Sequence, residues 1–160
     1  MPLVNVTDTN MVLARELSFV INTGGTDPLH LMCVMNTFRH SATTAKQSAP
    51  TVCKPGREVN GATTETVTAT ILLSTGADGS LNRLIPLENT TVAFSFVYEG
   101  DVAIGPANPE FTGSLQVPPL SLMDGDPNTP QYVDVEFLVD GRVAKNFTTT
   151  PVYAGHHGIL

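Results

Sequence analysis

Between residues 63 and 73 the side chains alternate in type, and from Thr66 to Ile71 threonine and apolar residues take turns without interruption. Val67, Ala69, Ile71 and Leu73 fall on one side, and Thr64, Thr66, Thr68 and Thr70 on the other. Only an extended chain sends successive side chains to opposite faces, so this run is a strand with one dry and one wet face, and β-branched threonine suits the wet one. The same period recurs downstream. Val92, Phe94, Phe96 and Tyr98 oppose Thr91, Ala93 and Ser95; Phe111, Gly113, Leu115 and Val117 alternate with Thr112, Ser114 and Gln116; Val133, Val135, Phe137 and Val139 alternate with Asp134 and Glu136. Over residues 13–21 two periods compete, but Leu13, Leu17, Phe19 and Ile21 share a side at spacing two, which reads as a strand. Residues 23–28, Thr-Gly-Gly-Thr-Asp-Pro, carry turn chemistry, and Leu29, Leu31, Cys33 and Met35 then form the returning strand of a hairpin.

Two further local signals complete the architecture. Asp140-Gly141 between extended runs predicts a two-residue hairpin turn, with residues 143–150 pairing back as a last strand. Ser80 after Asp78-Gly79, followed by Leu81, Leu84 and Ile85, predicts one or two helical turns under a Ser or Asp cap, stopped by Pro86. About seven short strands, one short helix and no βαβ alternation define a mainly antiparallel all-β fold, either a small β-sandwich or a rolled sheet, in one domain over residues 1–160. Residues 39–62 break the pattern, with Ser, Thr, Lys46, Gln47, Pro50, Pro55, Gly56 and Gly61 and little hydrophobic period. They read as a long loop projecting from the domain, with enough reach to touch a neighbour.

Composition narrows the function. At 160 residues the chain can bury a core without metal or disulfide staples, yet only 14% of it is charged against about 25% in ordinary soluble domains. Interface cores are depleted in charge, so this favours an oligomer or larger assembly. The net charge of -7, with Lys and Arg scattered singly, offers no patch for phosphates and disfavours tight nucleic-acid binding. No apolar run approaches the roughly 20 residues of a membrane helix, so no membrane span is expected. The opening Pro-Leu-Val-Asn-Val-Thr-Asp lacks the basic and apolar regions of a signal peptide, so signal-directed secretion is not expected.

The chemistry-bearing residues are sparse. Cys33 and Cys53 have no Cys-x-x-Cys spacing, and with His30, His40, His156 and His157 they do not make a zinc pattern. They read as reduced thiols, Cys33 in the core and Cys53 in the loop, while His156-His157 reads as a solvated tail. Residues 124–128 begin like a calcium loop, but the sixth position is Thr129 and the twelfth Val135, so a plain turn is expected. Three Asn-x-Thr triplets, at Asn5, Asn89 and Asn146, are what a Thr-rich chain produces by chance. Nucleophile elbow, phosphate loop, dinucleotide fingerprint and His-Glu-x-x-His are all missing, and neither an enzyme nor a cofactor is expected. Asp134 and Glu136, flanking Val135 on a non-core face, are either an ordinary solvated surface or part of an acidic one.

The order of these elements, with Cys53-Lys54-Pro55-Gly56, the 78–86 helix before Thr91-Val92-Ala93-Phe94, Pro109-Glu110-Phe111-Thr112-Gly113-Ser114, Tyr132-Val133-Asp134-Val135-Glu136-Phe137 and Asp140-Gly141, resembles the major tail proteins, or tail tube subunits, of long-tailed bacteriophages. The resemblance spans nearly the whole chain. It implies a structural virion protein, made in the host cytoplasm, that closes into hexameric rings and stacks them into a hollow tube. Double-stranded DNA would pass through that tube without specific binding. Its partners would be copies of itself and other tail proteins at the tube ends. It further implies that residues 39–62 reach the adjacent ring, which makes Arg39, Lys46, Gln47, Lys54, Arg57 and Glu58 the candidate inter-ring residues and Asp134 and Glu136 candidates for the lumen wall. The alternative is a β-sandwich binding or virion decoration module that recognises a carbohydrate or protein surface. Against it, the chain has no Trp and its Phe residues fall mostly on inward faces.

Overall fold

A computed structural model describes residues 3, 4, 6 and 11–156. Seven strands, β1 (Ser18–Ile21), β2 (Leu29–His30), β3 (Met35–Ser48), β4 (Glu58–Leu72), β5 (Thr91–Val97), β6 (Glu110–Gln116) and β7 (Tyr132–Asn146), form one antiparallel sheet in the order β2-β1-β5-β6-β7-β4-β3. A single short helix, α1 (Ser80–Leu84), runs into a 3-10 turn at Ile85–Leu87 that contains Pro86. Its N-cap is Gly79, not Ser or Asp; the Ser80 hydroxyl instead donates to the Leu72 carbonyl at 2.7 Å, tying the helix to the end of β4.

The sheet is rolled and not doubled into a sandwich. Five strand spacings separate β1 from β3 in the sheet order, roughly 24 Å if the sheet were flat. Yet the Phe19 ring on β1 lies 5.0 Å from Phe38 on β3 and 6.0 Å from Phe137 on β7, and Phe38 lies 5.0 Å from Phe96 on β5. The inward face therefore closes on itself around Phe19, Ile21, Val67, Ile71, Phe94, Leu115 and Phe137, all buried. The alternation read from the sequence places the β4 to β7 side chains correctly. Burying this much aliphatic and aromatic surface, at about 25 cal/mol per Å², supplies the main folding force.

Four boundaries differ from expectation, each for a physical reason. The first strand is confined to β1, and the returning strand is only Leu29–His30; Met35 already belongs to β3. Asp140-Gly141 makes no hairpin. Gly141, at φ +84°, sits in a bulge where β7 shifts register against β6, and β7 continues until Val143 returns to the core. Residues 39–62 are no loop: β3 and β4 pair from Met35↔Ile71 to Ser48↔Glu58, and only residues 49–57 form the turn. The hydrophobic period fails there because β7 pairs with β4 only from Leu72 to Thr66, so the two strands run on as a ribbon that is wet on both faces. Cys33 is exposed, as is Cys53, and both are free thiols.

Candidate assembly surfaces

The ribbon is built by backbone pairing and threonine contacts in place of a core. Thr44 and Thr63 hydroxyls meet across it at 3.0 Å, and Lys46 Nζ donates to Asn60 Oδ1 at 2.6 Å. A bulge lies opposite Ala45, and a Cβ on Gly61 would meet the Ala45 carbonyl oxygen at 3.1 Å and Gln47 Cγ at 3.0 Å, so a larger residue there would have to push these neighbours back by a few tenths of an ångström. At the tip, Ala49 N donates to Arg57 O, and Thr51 and Lys54 exchange backbone hydrogen bonds. Val52 at the apex is fully exposed.

The candidate inter-ring residues divide. Lys46, Gln47, Lys54, Arg57 and Glu58 all lie exposed on the outer half of the arm. Arg39 does not: it stands in the sheet proper, paired with Thr68, which pairs in turn with Glu136. Residues 46–58 carry three cations and one carboxylate, net +2 in a chain of -7, which leaves -9 on the rest. The sheet ends opposite to the arm tip in loops 22–28, 73–90 and 117–131, where Asp27, Asp78, Glu88, Asp124 and Asp126 outnumber Arg83. The chain is thus basic at one projecting end and acidic at the other.

Asp134 and Glu136 lie exposed on the outward face of β7, as their spacing predicts, with Asp140 and Leu138 beside them. Asp134 accepts the Thr70 hydroxyl at 2.6 Å, and Thr70 meets Thr37 at 2.6 Å, so one row of the face is a hydrogen-bonded ladder across β3, β4 and β7. Three carboxylates against Arg39 leave this uncovered area acidic.

Two buried carboxylates hold the structure at the root of these surfaces, and neither was singled out from the sequence. Glu65, 1% exposed, accepts Val143 N at 2.7 Å, Arg142 Nε at 3.0 Å and His40 Nε2 at 3.2 Å, where β4 leaves β7 to become the arm. Burial works to raise its pKa, but the Val143 amide, Arg142 and His40 together hold it below 4.5. Its inward phase was legible, two residues before Val67. Glu110, at 0% exposure, accepts Asn146 Nδ2, Val152 N, Tyr153 N and the Ser95 hydroxyl. Through these bonds it pins residues 147–156 over the outer side of β1, β5 and β6. His156 is consequently no solvated tail: it is 2% exposed, with Nδ1 2.8 Å from Ser18 Oγ and Nε2 2.7 Å from Ser95 Oγ. His157 lies outside the described residues. Serine, histidine and glutamate here are all buried, so neither hydroxyl is offered to a substrate as a nucleophile.

The seam of the roll, between residues 14–17 and β3, is open. It forms a groove of about 1350 Å³ whose walls include Met35, Phe38, Phe96, Tyr98 and Phe111. Nearby Met11, Val12 and Leu13 are exposed, as are Leu3, Val4 and Val6. Among the described residues no helix is long and apolar enough to cross a membrane, and no three His, Cys, Asp or Glu side chains cluster as a metal site.

No family model and no curated protein matches the sequence. Among solved structures, the chain is similar to one from the tail of an empty GTA particle, refined helically with C6 symmetry. The TM-score is 0.58 at 10% identity, covering 80% of this chain and 93% of that one. The rolled antiparallel sheet is therefore a fold shared with a chain of that tail.

Proposed function

We propose that this chain is a virion tail tube subunit, which closes into rings, most simply of six copies, and stacks them into a hollow conduit for double-stranded DNA. The observation that carries the reading is the rolled sheet with its two-stranded arm, in a fold that covers 93% of a chain from a tail with C6 symmetry. Three features support it. Only 14% of the residues are charged, which fits a heavily contacted surface. The basic arm tip and the acidic opposite end are complementary when subunits follow one another head to tail, a heterologous contact that propagates into a filament. On the outward face, residues 147–156, with Ile104 packed on Val97, cover β1, β5 and the Glu110 end of β6, while the β3, β4 and β7 portion with Asp134 and Glu136 stays open to water. That open portion is the lumen wall in this reading, and DNA, with about one charge per 1.7 Å of axis, slides past an acidic wall without adhering.

In this assignment the protein acts as a structural part and carries out no catalysis. Its partners are further copies of itself and the proteins that close the tube ends. Negative-stain microscopy at rising concentration tests it: rings or tubes with a central hole are expected, and a strictly monomeric species at every concentration and salt overturns it. A second reading, a virion decoration or binding module, rests on the aromatic-walled groove at the seam. A small discrete species that binds a glycan or protein surface would favour it.

A further inference from the structure

The bonds around His156 have one consistent direction. Ser95 Oγ donates to Glu110 Oε2 at 3.0 Å, so it must accept from His156 Nε2–H at 2.7 Å; Nδ1 is then the acceptor for the Ser18 hydroxyl at 2.8 Å. The result is a wire, Ser18 to His156 to Ser95 to Glu110, that ends on a carboxylate already taking three N–H groups from Asn146, Val152 and Tyr153. It joins β1, β5 and β6 to a segment with no strand pairing of its own. We propose that residues 147–156 form an acid-released strap, locked by this wire and opened by protonation of His156 while the rolled sheet stays folded.

The groups facing the imidazole decide the sign. Burial comes first and disfavours the cation; Glu110, with Oε2 3.5 Å from Nε2, favours it; His30 on β2 disfavours it; the balance holds His156 below 6.5. Tyr153 packs edge-on at 5.3 Å, its own phenol pushed up by burial, and remains neutral throughout. β1 and β5 contribute only hydroxyls at the imidazole, and Arg15, Glu16 and Lys145 line the groove wall beside Gly155. A histidine held neutral gives its full stabilisation above 6.5 and loses it as the pH falls from there. Protonating Nδ1 puts a charge on a ring that is 2% exposed; the Ser18 hydroxyl can turn to accept the new N–H, so what opposes the cation is its burial and not a lost bond. The inward face of the sheet is held mainly by apolar side chains, and its buried Glu65 has its pKa below 4.5, which leaves a window in which the strap opens alone.

This inference rests on contacts within one subunit and does not depend on tube assembly. Hydrogen exchange by mass spectrometry on the full chain, corrected for intrinsic rates, tests it from about pH 7.5 to about pH 5. Opening of 147–156 should rise up to about tenfold per unit below 6.5, while residues 64–71 keep their protection. His156→Gln should leave the strap open at neutral pH and abolish the acid dependence. Nitrogen-edited NMR should find the neutral ring protonated at Nε2. Loss of protection in both segments together, an acid-insensitive strap, an unchanged His156→Gln variant, or an Nδ1–H tautomer would each overturn it.

Discussion

Replacing Glu65 with Gln tests the link between a buried charge and the arm. The carboxylate takes one backbone and two side-chain hydrogen bonds at 2.7–3.2 Å, all from donors. Val143 N and Arg142 Nε share Oε2, so an amide oxygen placed there serves both but without the charge that strengthens them, and the NH2 falls at the Oε1 position facing His40 Nε2, which must then change tautomer to accept it. Charge-assisted bonds contribute about 1.5–3 kcal/mol; Arg142 is 59% exposed, so its share falls at the low end, and about 2–3 kcal/mol is expected in all. For a chain of this length that lowers Tm by about 5–10 °C. The pH dependence supplies the control. Because Glu65 is held below 4.5, its contribution is complete above that value and is lost as the pH falls through the folded value. The gap between wild type and Glu65→Gln in thermal melts should therefore be full near neutrality and close in acid. A shift under about 1 °C, or a gap indifferent to pH, refutes the reasoning.

Phe94, 1% exposed and in ring contact with Phe19, should cost about 3–5 kcal/mol as Phe94→Ala in urea unfolding. Reversing Lys54 and Arg57 to Glu should leave rings but weaken their stacking, and raised salt should weaken wild-type stacking in the same direction. Asp134→Lys with Glu136→Lys should keep the fold and make tubes retain DNA at low salt. Both thiols, being exposed, should react with a chromogenic thiol reagent without denaturant, in any state where contacts between copies leave them uncovered.

Period-two alternation carries information only where one face is dry. That is why the inward residues of β4 to β7 were legible while the outer half of the arm was not: with both faces wet, Ser41, Thr43, Lys46 and Gln47 leave no pattern to distinguish a ribbon from a loop. Asp140-Gly141 fits a turn and a bulge equally, and the choice was made by Val143 donating to Glu65, 78 residues away in the chain. The same distance hid the strap. His156 and Ser18 meet across 138 residues, and no local signal marks a histidine that will be covered. Glu65 is the instructive omission, since an acid in the inward phase of a strand can only be buried if partners come to it. Asp134 and Glu136, in contrast, follow directly from the phase of Val133 and Val135.

A sheet that closes its inward face on itself has only its outer face, its two ends and its edges left for contact with other molecules. β3, at one edge, is fourteen residues long, contains no proline and has a strand partner on one side only. Soluble monomers shorten, bend or cover such edges because the unpaired amides and carbonyls recruit other chains. Here the edge strand has one extra residue, Asn36, at its start, a second register shift in the arm whose extra residue lies on β4, and two cations, Arg39 and Lys46, and it borders the open groove where Phe38 and Met35 stand. Leaving that edge free would cost a monomer solubility. In the proposed ring, the same edge and groove would offer the next copy both backbone partners and apolar surface. Under that proposal the low charge content has a physical reason, because the area that would otherwise need charged side chains to stay in water would be covered by another copy.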